Sequence, residues 1–418
     1  MDLEVSKSIL KIVREKIMSK KSIPKIRFQN FKNEWIDSTI GRHISLLNGR
    51  AYKQEELLDE GKYRVLRVGN FNTNSKWYYS NLELEENKYV NKGDLLYLWA
   101  TNFGPEIWTE EKAIYHYHIW KLEFDRTEIN QDYLNIWLES DKNKIQQNTN
   151  GSTMIHITKN MMEERRISLP YFEEQSAIGS LFRTLDDLLT SYKDNLTNYQ
   201  SLKATMLSKM FPKAGQTVPE MRLDGFEGEW EIVKLGDNCR IITGGTPRTG
   251  VKEFWNPKEI PWMSSGEINK KILNETEEMI SYIGLENSSA KWVKQNSVLI
   301  ALAGQGQTRG RVAINKIPLT TNQSIAAIET NSNIDFLFLY TDLGRRYDEL
   351  RLISSGDGTR GGLNKMIISR LELNIPSIEE QQAIGSYFSN LDNLINSHQE
   401  KISQLETLKK KLLQDMFI

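Results

Sequence analysis

Cysteine is almost absent from this sequence. Among 418 residues only Cys239 carries a thiol, so no disulfide can form within the chain and no zinc site can be built from cysteines. The histidines, at positions 43, 116, 118, 156 and 398, are too scattered to indicate a metal centre. The sequence therefore predicts no metal site.

Long hydrophobic runs are also missing. The longest uncharged apolar stretch, 297–304, is far shorter than the roughly 20 residues that span a bilayer. Charged residues interrupt the first 21 positions, which lack the apolar block of a secretory signal. Glycine (26) and proline (10) are too few for a disordered or fibrous chain. These features predict a globular, cytoplasmic protein of two to three domains, with no membrane partner.

An excess of charge of one sign is lacking too. The 54 basic and 55 acidic side chains give a net charge of −1. Proteins that bind nucleic acid are often basic, so composition alone does not predict a DNA-binding protein.

The sequence lacks recognisable catalytic motifs. The sequence has no phosphate-binding loop, no Gly-x-Gly-x-x-Gly after a strand, and no Asn-Pro-Pro-aromatic tetrapeptide for holding a flipped base. The acidic pairs at 173–174 and 379–380 lie where helices begin, and carboxylates are favoured there by the helix dipole. We interpret them as structural and predict no catalytic residue.

What the sequence does contain is an internal duplication. Residues 170–180 and 376–386 both read Pro-x-x-Glu-Glu-Gln-x-Ala-Ile-Gly-Ser, and 23–27 (Ile-Pro-Lys-Ile-Arg) corresponds to 218–222 (Val-Pro-Glu-Met-Arg). Two copies are too few for a solenoid. The chain is therefore predicted to repeat one plan twice, a variable domain followed by a helical segment.

Each helical segment has apolar residues at alternating spacings of mostly three and four, which predicts a long amphipathic helix of about 38 residues. Ser377 and Glu380 predict a capping box at the start of the second helix, and Pro212 ends the first. A lone helix of this kind would expose its apolar stripe, so we expect the two helices to pair. The predicted seam consists of Phe182, Leu185, Leu189, Leu196 and Leu202 in the first helix and Phe388, Leu391, Ile395, Ile402, Leu405 and Leu412 in the second.

The predicted fold class is mixed α/β. Two globular α/β domains are separated by two long helices that form an antiparallel coiled coil, with a pseudo-two-fold internal duplication. The predicted divisions are an N-terminal helical extension (1–22), a first domain (23–165), a first helical region and linker (166–217), a second domain (218–372) and a second helical region (373–418).

These motifs resemble those of the specificity subunits of type I restriction-modification systems. The resemblance rests on the opening at 218–230, on the Glu-Glu-Gln start of each long helix, and on Met-Phe-Pro at 210–212. It implies two target recognition domains, each reading one half of a bipartite asymmetric target in double-stranded DNA. It also implies that the chain docks two methyltransferase subunits and, through them, restriction and translocase subunits. S-adenosylmethionine, ATP and Mg²⁺ would bind those partners, and no cofactor would bind this chain.

Polar loops supply the candidates for DNA contact. Arginine can bind guanine through two hydrogen bonds, and asparagine or glutamine can bind adenine in the same way. His116 and His118 are expected on one face of a strand. The first-domain candidates are Asn48, Arg50, Lys53, Arg64, Arg67, Asn102, His116, His118, Ser152 and Thr153. The second-domain candidates are Thr246, Arg248, Gln305, Gln307, Arg309, Arg311, Asn322, Gln323, Ser355, Thr359 and Arg360.

Two other functions stay open at this point. The chain could be a stand-alone DNA methyltransferase or nuclease that uses the repeat as its own clamp, although the missing catalytic motifs argue against this. It could also be a structural coiled-coil adaptor that never touches nucleic acid.

Overall fold

Short strands alternate with helices along the chain, and the mixed α/β class predicted from the sequence is confirmed. The computed structural model describes residues 13–15, 24–71, 74–100, 103–148, 157–304, 308–353 and 362–417. Two compact units are present, Met1–Lys193 with Glu400–Ile418, and Asp194–Gln399. Each unit therefore contains part of both long helices.

The first unit contains twelve described strands in four small sheets. The sheet orders are β1-β2, β6-β5-β10-β7, β4-β11-β8-β9 and β12-β3. The strands are β1 Val13–Glu15, β2 Ile26–Phe28, β3 Ile36–Thr39, β4 Ile44–Asn48, β5 Tyr63–Leu66, β6 Tyr78–Ser80, β7 Tyr89–Val90, β8 Leu95–Leu98, β9 Gly104–Ile107, β10 Ala113–Tyr115, β11 Ile119–Phe124 and β12 Arg166–Leu169.

The second unit contains ten described strands in three sheets. The orders are β13-β22, β14-β21-β18-β19-β16 and β17-β15-β20. The strands are β13 Glu231–Lys234, β14 Cys239–Thr243, β15 Ile260–Met263, β16 Ile272–Leu273, β17 Glu278–Ile280, β18 Val298–Ala301, β19 Val312–Asn315, β20 Thr320–Thr321, β21 Ile325–Thr330 and β22 Glu372–Ile375.

The two units repeat one topology. The sheet β4-β11-β8-β9 has the same order as β14-β21-β18-β19, and both are antiparallel throughout. The parallel pair β5-β10 of the first unit corresponds to β15-β20 of the second. The duplication seen in the sequence is therefore a duplication of the fold.

The helices include two of 38 residues, which confirms the predicted length. The α-helices are α1 Ile40–His43, α2 Gln131–Asn148, α3 Lys159–Glu163, α4 Phe172–Lys209, α5 Leu235–Asn238, α6 Tyr282–Glu286, α7 Phe336–Arg345, α8 Tyr347–Ile353, α9 Lys365–Ser369 and α10 Ile378–Asp415. Short 3₁₀ helices span Gln54–Glu56, Val68–Phe71, Glu86–Lys88, Lys252–Phe254 and Ser265–Lys270.

The long helices run antiparallel within each unit. In the first unit, the Nζ atom of Lys193 lies 2.8 Å from an Oε atom of Glu406, and Lys409 Nζ lies 2.8 Å from Asp186 Oδ1. In the second unit, Lys203 Nζ lies 2.5 Å from Asp392 Oδ1. Later residues of α4 thus meet earlier residues of α10.

Burial along the predicted seam is uneven. Seven of the proposed residues are buried and three are half-buried, but Leu202 is 37% exposed. At about 100° per residue, Leu202 lies about 60° from Tyr199, on the side away from Leu207. Both Tyr199 and Leu207 pack against the core of the second unit. The placement of Leu202 on the seam is therefore wrong. The buried seam residues are Phe182, Leu185, Leu189, Phe388, Leu391, Ile395 and Leu412, and the half-buried ones are Leu196, Ile402 and Leu405.

The duplicated motifs attach the first turn of each long helix to the unit in which that helix begins. Arg27 donates two hydrogen bonds, each of 2.6 Å, to the carboxylate of Glu174, and Arg222 does the same to Glu380 at 2.7 and 2.6 Å. Both glutamates are 1% exposed. Charge-assisted, two-point pairs of this kind are among the strongest hydrogen bonds in proteins.

The predicted capping box at Ser377 is half correct. The Ser377 hydroxyl accepts a hydrogen bond from the backbone N–H of Glu380 at 3.3 Å. The Glu380 carboxylate does not complete the box, because it binds Arg222 instead.

The N-terminal segment differs from the predicted helix where the structure describes it. Val13–Glu15 is a strand that pairs antiparallel with Ile26–Phe28. Residues 1–12 and 16–23 lie outside the described residues. Backbone pairing with a neighbouring strand decides the conformation here, and the helical periodicity did not reveal it.

Within the described ranges, no helix is long and apolar enough to cross a membrane.

Candidate nucleic-acid interface

In the first unit, the loop after β4 lies against the turn that joins β10 to β11. The backbone N–H of Arg50 donates to the Tyr115 carbonyl at 3.0 Å, and the Tyr117 N–H donates to the Arg50 carbonyl at 3.1 Å. A Cβ atom on Gly49 would lie 2.4 Å from the carbonyl oxygens of Tyr115 and His116. Only glycine permits this approach.

The second unit repeats the arrangement. The backbone N–H of Gly245 donates to the Thr321 carbonyl at 2.8 Å, and a Cβ atom on Gly244 would lie 2.0 Å from that same oxygen. The Asn322 N–H donates to the carbonyl of Met263 at 3.0 Å. This bond corresponds to the 2.9 Å bond from the His116 N–H to the Leu66 carbonyl in the first unit.

The loop of the first unit carries a fixed cation. Arg50 donates hydrogen bonds of 3.0 and 2.7 Å to the two carboxylate oxygens of Glu56, and its guanidinium lies 5.2 Å from the centre of the Tyr52 ring. The hydrogen bond to Glu56 raises the pKa of Arg50, and Arg50 lowers the pKa of Glu56. Held in this way, the guanidinium presents its remaining surface in a defined direction.

His116 and His118 do not lie on one strand, so that prediction is wrong. A single bridge to Arg50 holds His116, and Tyr117 and His118 form the turn before β11. The imidazole rings remain close, with their centres 4.9 Å apart. Burial lowers the pKa of His116 to about 4, with smaller contributions from His118 and Arg67. His116 is therefore neutral at pH 7, and its ring can donate one hydrogen bond and accept another.

Two aromatic residues complete this turn. Tyr117 is 39% exposed. The indole N–H of Trp99 donates to the Tyr117 carbonyl at 2.9 Å, and its ring lies edge-on to His118 with the centres 4.9 Å apart. Trp99 thus holds the turn through its contacts with Tyr117 and His118. The Tyr117 side chain is exposed at the surface.

In the second unit the equivalent turn carries amide side chains. The Thr246 hydroxyl donates to Gln323 Oε1 at 2.5 Å, and Asn322 Oδ1 accepts from the Ser324 N–H at 3.1 Å. Asn322 is half-buried and Gln323 is exposed. Thr246 in the loop therefore orients Gln323, which is exposed to solvent.

Some of the sequence-predicted residues meet and others do not. Arg50, His116 and His118 meet in the first unit, and Thr246, Asn322 and Gln323 meet in the second. Arg64 instead pairs with Glu110, and the Arg67 guanidinium lies 4.3 Å from the centre of the Tyr78 ring.

The other described candidates show no common site. Lys53 and Arg248 are exposed, and the backbone carbonyl of Asn48 accepts from Lys88 Nζ at 2.9 Å. Arg311 donates to Asn269 Oδ1 at 2.9 Å, and Arg309 is half-buried. The remaining candidates, Asn102, Ser152, Thr153, Gln305, Gln307, Ser355, Thr359 and Arg360, lie outside the described residues.

Sequence reasoning missed Tyr52, Tyr117 and the two glycines. Tyr117 stands between two candidate histidines, which was a usable signal. Gly49 and Gly244 occupy the same position in the duplication, directly after equivalent strands. In the part of the chain that the structure describes, no group of three His, Cys, Asp or Glu side chains could hold a metal ion.

Comparison with known proteins identifies one family model. The model for the type I restriction modification DNA specificity domain matches residues 16–198 and 227–407. These two ranges cover most of the chain and correspond to the two copies of the duplication.

Individual relatives carry related names. The chain is 29% identical over 189 residues to the EcoR124I/EcoR124II specificity subunit of Escherichia coli, across 44% of this chain and 46% of that protein. It is 23% identical over 344 residues to the MjaVIII specificity subunit of Methanocaldococcus jannaschii, across 78% of each. The matched region thus spans about half the length of the E. coli relative.

A solved structure shares the fold. The S subunit of a type I restriction-modification system from M. genitalium aligns with a TM-score of 0.64 at 17% identity, across 95% of this chain and 99% of that chain.

Proposed function

The chain belongs to the type I restriction-modification DNA specificity family, and from that premise we propose that it is the DNA-reading subunit of such a system. It binds a bipartite, asymmetric target in double-stranded DNA, and each unit reads one half. It carries no catalytic residue and no cofactor of its own.

One observation carries this proposal. Both units build the same backbone arrangement of loop and turn, yet the turns differ completely in side chains: His116, Tyr117 and His118 in one, Asn322, Gln323 and Ser324 in the other. The same backbone arrangement with different hydrogen-bonding groups is what reading two different half-sites requires.

Gln323 has the stronger chemical assignment. A glutamine amide matches the N6 and N7 atoms of adenine in the major groove. Thr246 fixes its Oε1 atom, which reduces the entropy lost on binding. In the first unit, neutral His116 and the exposed Tyr117 are suited to base-edge hydrogen bonds and to contact with a thymine methyl group.

The partners are methyltransferase subunits and, through them, restriction and translocase subunits. S-adenosylmethionine, ATP and Mg²⁺ bind those partners. Two exposed leucines on the long helices support a protein partner: Leu394 is 41% exposed and Leu202 is 37% exposed. The near-neutral charge also agrees, since partner chains can supply part of the phosphate neutralisation.

Methylation mapping tests the proposal. The chain is expressed with its methyltransferase partner in a host, and methylated adenines are located by sequencing. Gln323→Ala should relax one half of the target, and Tyr117→Ala the other, since one good base contact gives about 1–3 kcal/mol of discrimination. Gln295→Ala removes an exposed glutamine of the second unit outside the loop and turn, and should leave the target unchanged.

Two results would contradict the proposed reading surface. If Gln323→Ala and Tyr117→Ala altered the same half, or if neither changed the methylated sequence, the loop and turn would not be the reading surface.

A further inference from the structure

A surface groove of about 350 Å³ in the second unit runs beside strand β14 and the short helix α9. Among the described residues that line it, three are basic and none is acidic. The basic residues are Arg240, Lys291 and Lys365, and all three are exposed. The groove therefore offers positive charge to a ligand from solvent.

The three basic side chains differ in their partners. Arg240 Nη1 lies 3.2 Å from Oε2 of Glu329, so its charge is balanced within the unit. The side chains of Lys291 and Lys365 make no hydrogen bond or ion pair with any residue that the structure describes. Only these two lysines therefore count as unbalanced charge in the groove.

The first unit satisfies the equivalent of Lys365 internally. Lys159 begins helix α3 as Lys365 begins helix α9. The Lys159 Nζ atom lies 3.6 Å from Oε1 of Glu163, one helical turn later. In the second unit this position is Ser369, the last residue of α9, and a serine hydroxyl cannot balance the charge of Lys365.

The first unit also satisfies the equivalent of Lys291. Lys88 lies the same distance in sequence before strand β8 as Lys291 lies before the equivalent strand β18. Its Nζ atom donates to the backbone carbonyl of Asn48 at 2.9 Å. Lys291 lines the groove together with Thr243, the counterpart of Asn48 at the end of β14, but makes no such bond within the described ranges.

The groove adjoins the loop that is proposed to read bases. Thr243 lies in the groove and directly precedes Gly244. A Cβ atom on Gly245 would lie 2.6 Å from the backbone nitrogen of Ala290, the residue before Lys291. The ammonium group of Lys291 is therefore carried by a segment that contacts the loop.

Duplex geometry indicates what lies beside such a loop. The major groove of DNA is about 12 Å wide and is bounded on both sides by sugar-phosphate backbone. A turn that reaches base edges therefore has phosphates close by on each flank. Lysine binds a phosphate as a point charge, so Lys291 and Lys365 have the right chemistry for this neighbour.

We propose that the groove of the second unit holds the phosphodiester backbone of the DNA beside the half-site that this unit reads. Lys291 and Lys365 are the phosphate contacts. The equivalent surface of the first unit makes no such contact, because Lys88 and Lys159 are already engaged. The inference rests on the proposed function and adds an unequal division of backbone binding between the two units.

The salt dependence of DNA binding tests this division. The complex of the chain with its methyltransferase partner is titrated, by fluorescence anisotropy at several salt concentrations, with two duplexes: one carries the mapped target and the other is unrelated. Each phosphate contact contributes about 0.9 to the slope of log affinity against log salt, which amounts to about eightfold in affinity for a tenfold change in salt.

Lys291→Gln and Lys365→Gln should each lower this slope by about 0.9 on both duplexes. Lys88→Gln and Lys159→Gln remove the same charge at the equivalent positions of the first unit. These two control variants should keep the wild-type slope.

Substitution at Ser369 provides a second, matched test. Ser369→Glu gives Lys365 the helical partner that Lys159 has in the first unit, and should lower the slope as Lys365→Gln does. Ser369→Gln has a similar size without the charge, and should keep the wild-type slope. Thermal unfolding of every variant shows whether the fold is retained.

Three results would overturn the proposal: an unchanged slope in either Lys291→Gln or Lys365→Gln, an equal loss in the two first-unit variants, or equal slopes for Ser369→Glu and Ser369→Gln. A changed methylated sequence in the lysine variants would also overturn it, because backbone contacts carry no sequence information.

Failure of the proposed base reading gives a different result. In that case Gln323→Ala would leave the methylated sequence unchanged, while the lysine variants would still lower the salt slope on both duplexes. Absence of duplex binding by the wild-type complex would overturn both proposals.

Discussion

At the scale of single residues, the two acids of each Glu-Glu-Gln motif have different roles. Glu379 is exposed in the first turn of its helix, where the helix dipole favours it. Glu380 is buried and bound at two points by Arg222. From the sequence, Glu379 and Glu380 were interpreted in the same way, as acids favoured by the helix dipole. No local signal shows that Arg222, which is far away in the chain, binds only Glu380.

Removing Glu380 should therefore destabilise the second unit strongly. Glu380→Ala leaves the Arg222 guanidinium in a largely buried site without its partner, which costs about 3–5 kcal/mol. The free energy of unfolding in urea, followed by circular dichroism, measures the loss. The control is Glu83→Ala, which breaks the exposed pair with Lys62, whose side chains are 65% and 57% exposed. That change should cost far less than Glu380→Ala, because exposed ion pairs contribute little to stability, and equal losses would contradict the assigned role of Glu380.

The lowered pKa of His116 makes the stability of the protein depend on pH. A histidine in the unfolded chain takes up a proton near pH 6.5, but burial holds the pKa of His116 in the folded protein at about 4. Between these values the unfolded state binds more protons, so stability falls as the pH is lowered from 6.5 towards 4.

The variant His116→Gln should show a smaller decrease over this pH range. Urea unfolding at several pH values measures it, and pH 7 to 8 is the internal control, since His116 is neutral there in both states. An unchanged slope in His116→Gln would show that other groups cause the dependence.

At the scale of elements, each long helix is held to its unit by the same short set of contacts. The Gln381 amide accepts from the Asp335 N–H at 3.0 Å and donates to the carbonyls of Asn333 and Pro376, each at 3.0 Å. Gln175 makes the equivalent bonds to Asn130, Glu128 and Pro170 in the first unit. Four residues after each glutamine, a glycine lies directly against the start of an earlier helix: Gly385 against α7 and Gly179 against α2.

Gly385→Ala should destabilise the protein although alanine is the better helix former. The new Cβ atom would lie 2.7 Å from Leu337 Cβ and 2.8 Å from the Phe338 nitrogen. Such overpacking costs about 1–3 kcal/mol. Gly344→Ala is the matched control within a helix, where the new atom fits and helix propensity adds about 1 kcal/mol of stability. Thermal unfolding should show opposite signs, and stabilisation by both substitutions would refute the close contact at Gly385.

At the scale of the whole molecule, two units repeat one topology with different surfaces. Each contains its own core and its own loop and turn. Replacing residues 218–372 with the equivalent segment of a relative should change one half of the methylated sequence and leave the other half intact. Methylation mapping with the methyltransferase partner measures this. A change in both halves, in a variant that still folds, would contradict independent reading.

The sequence by itself determined the duplication, the two 38-residue helices, the α/β class and the family resemblance. These features depend on local periodicity and on motifs that recur in order along the chain, so they can be read without coordinates. The sequence also selected His116, Asn322 and Gln323 as candidates for DNA contact, because their side chains can hydrogen-bond base edges, although it placed His116 on a strand.

Only the tertiary structure decided which of these residues meet. The bond from Thr246 to Gln323 and the pairing of Arg222 with Glu380 join positions far apart in sequence, and strand order had to be known before either could be seen. The tertiary structure also places His116 and His118 at a turn rather than on one strand, and it places Leu202 outside the seam. Both placements depend on neighbouring elements, since these decide which backbone groups pair and which face of a helix is buried.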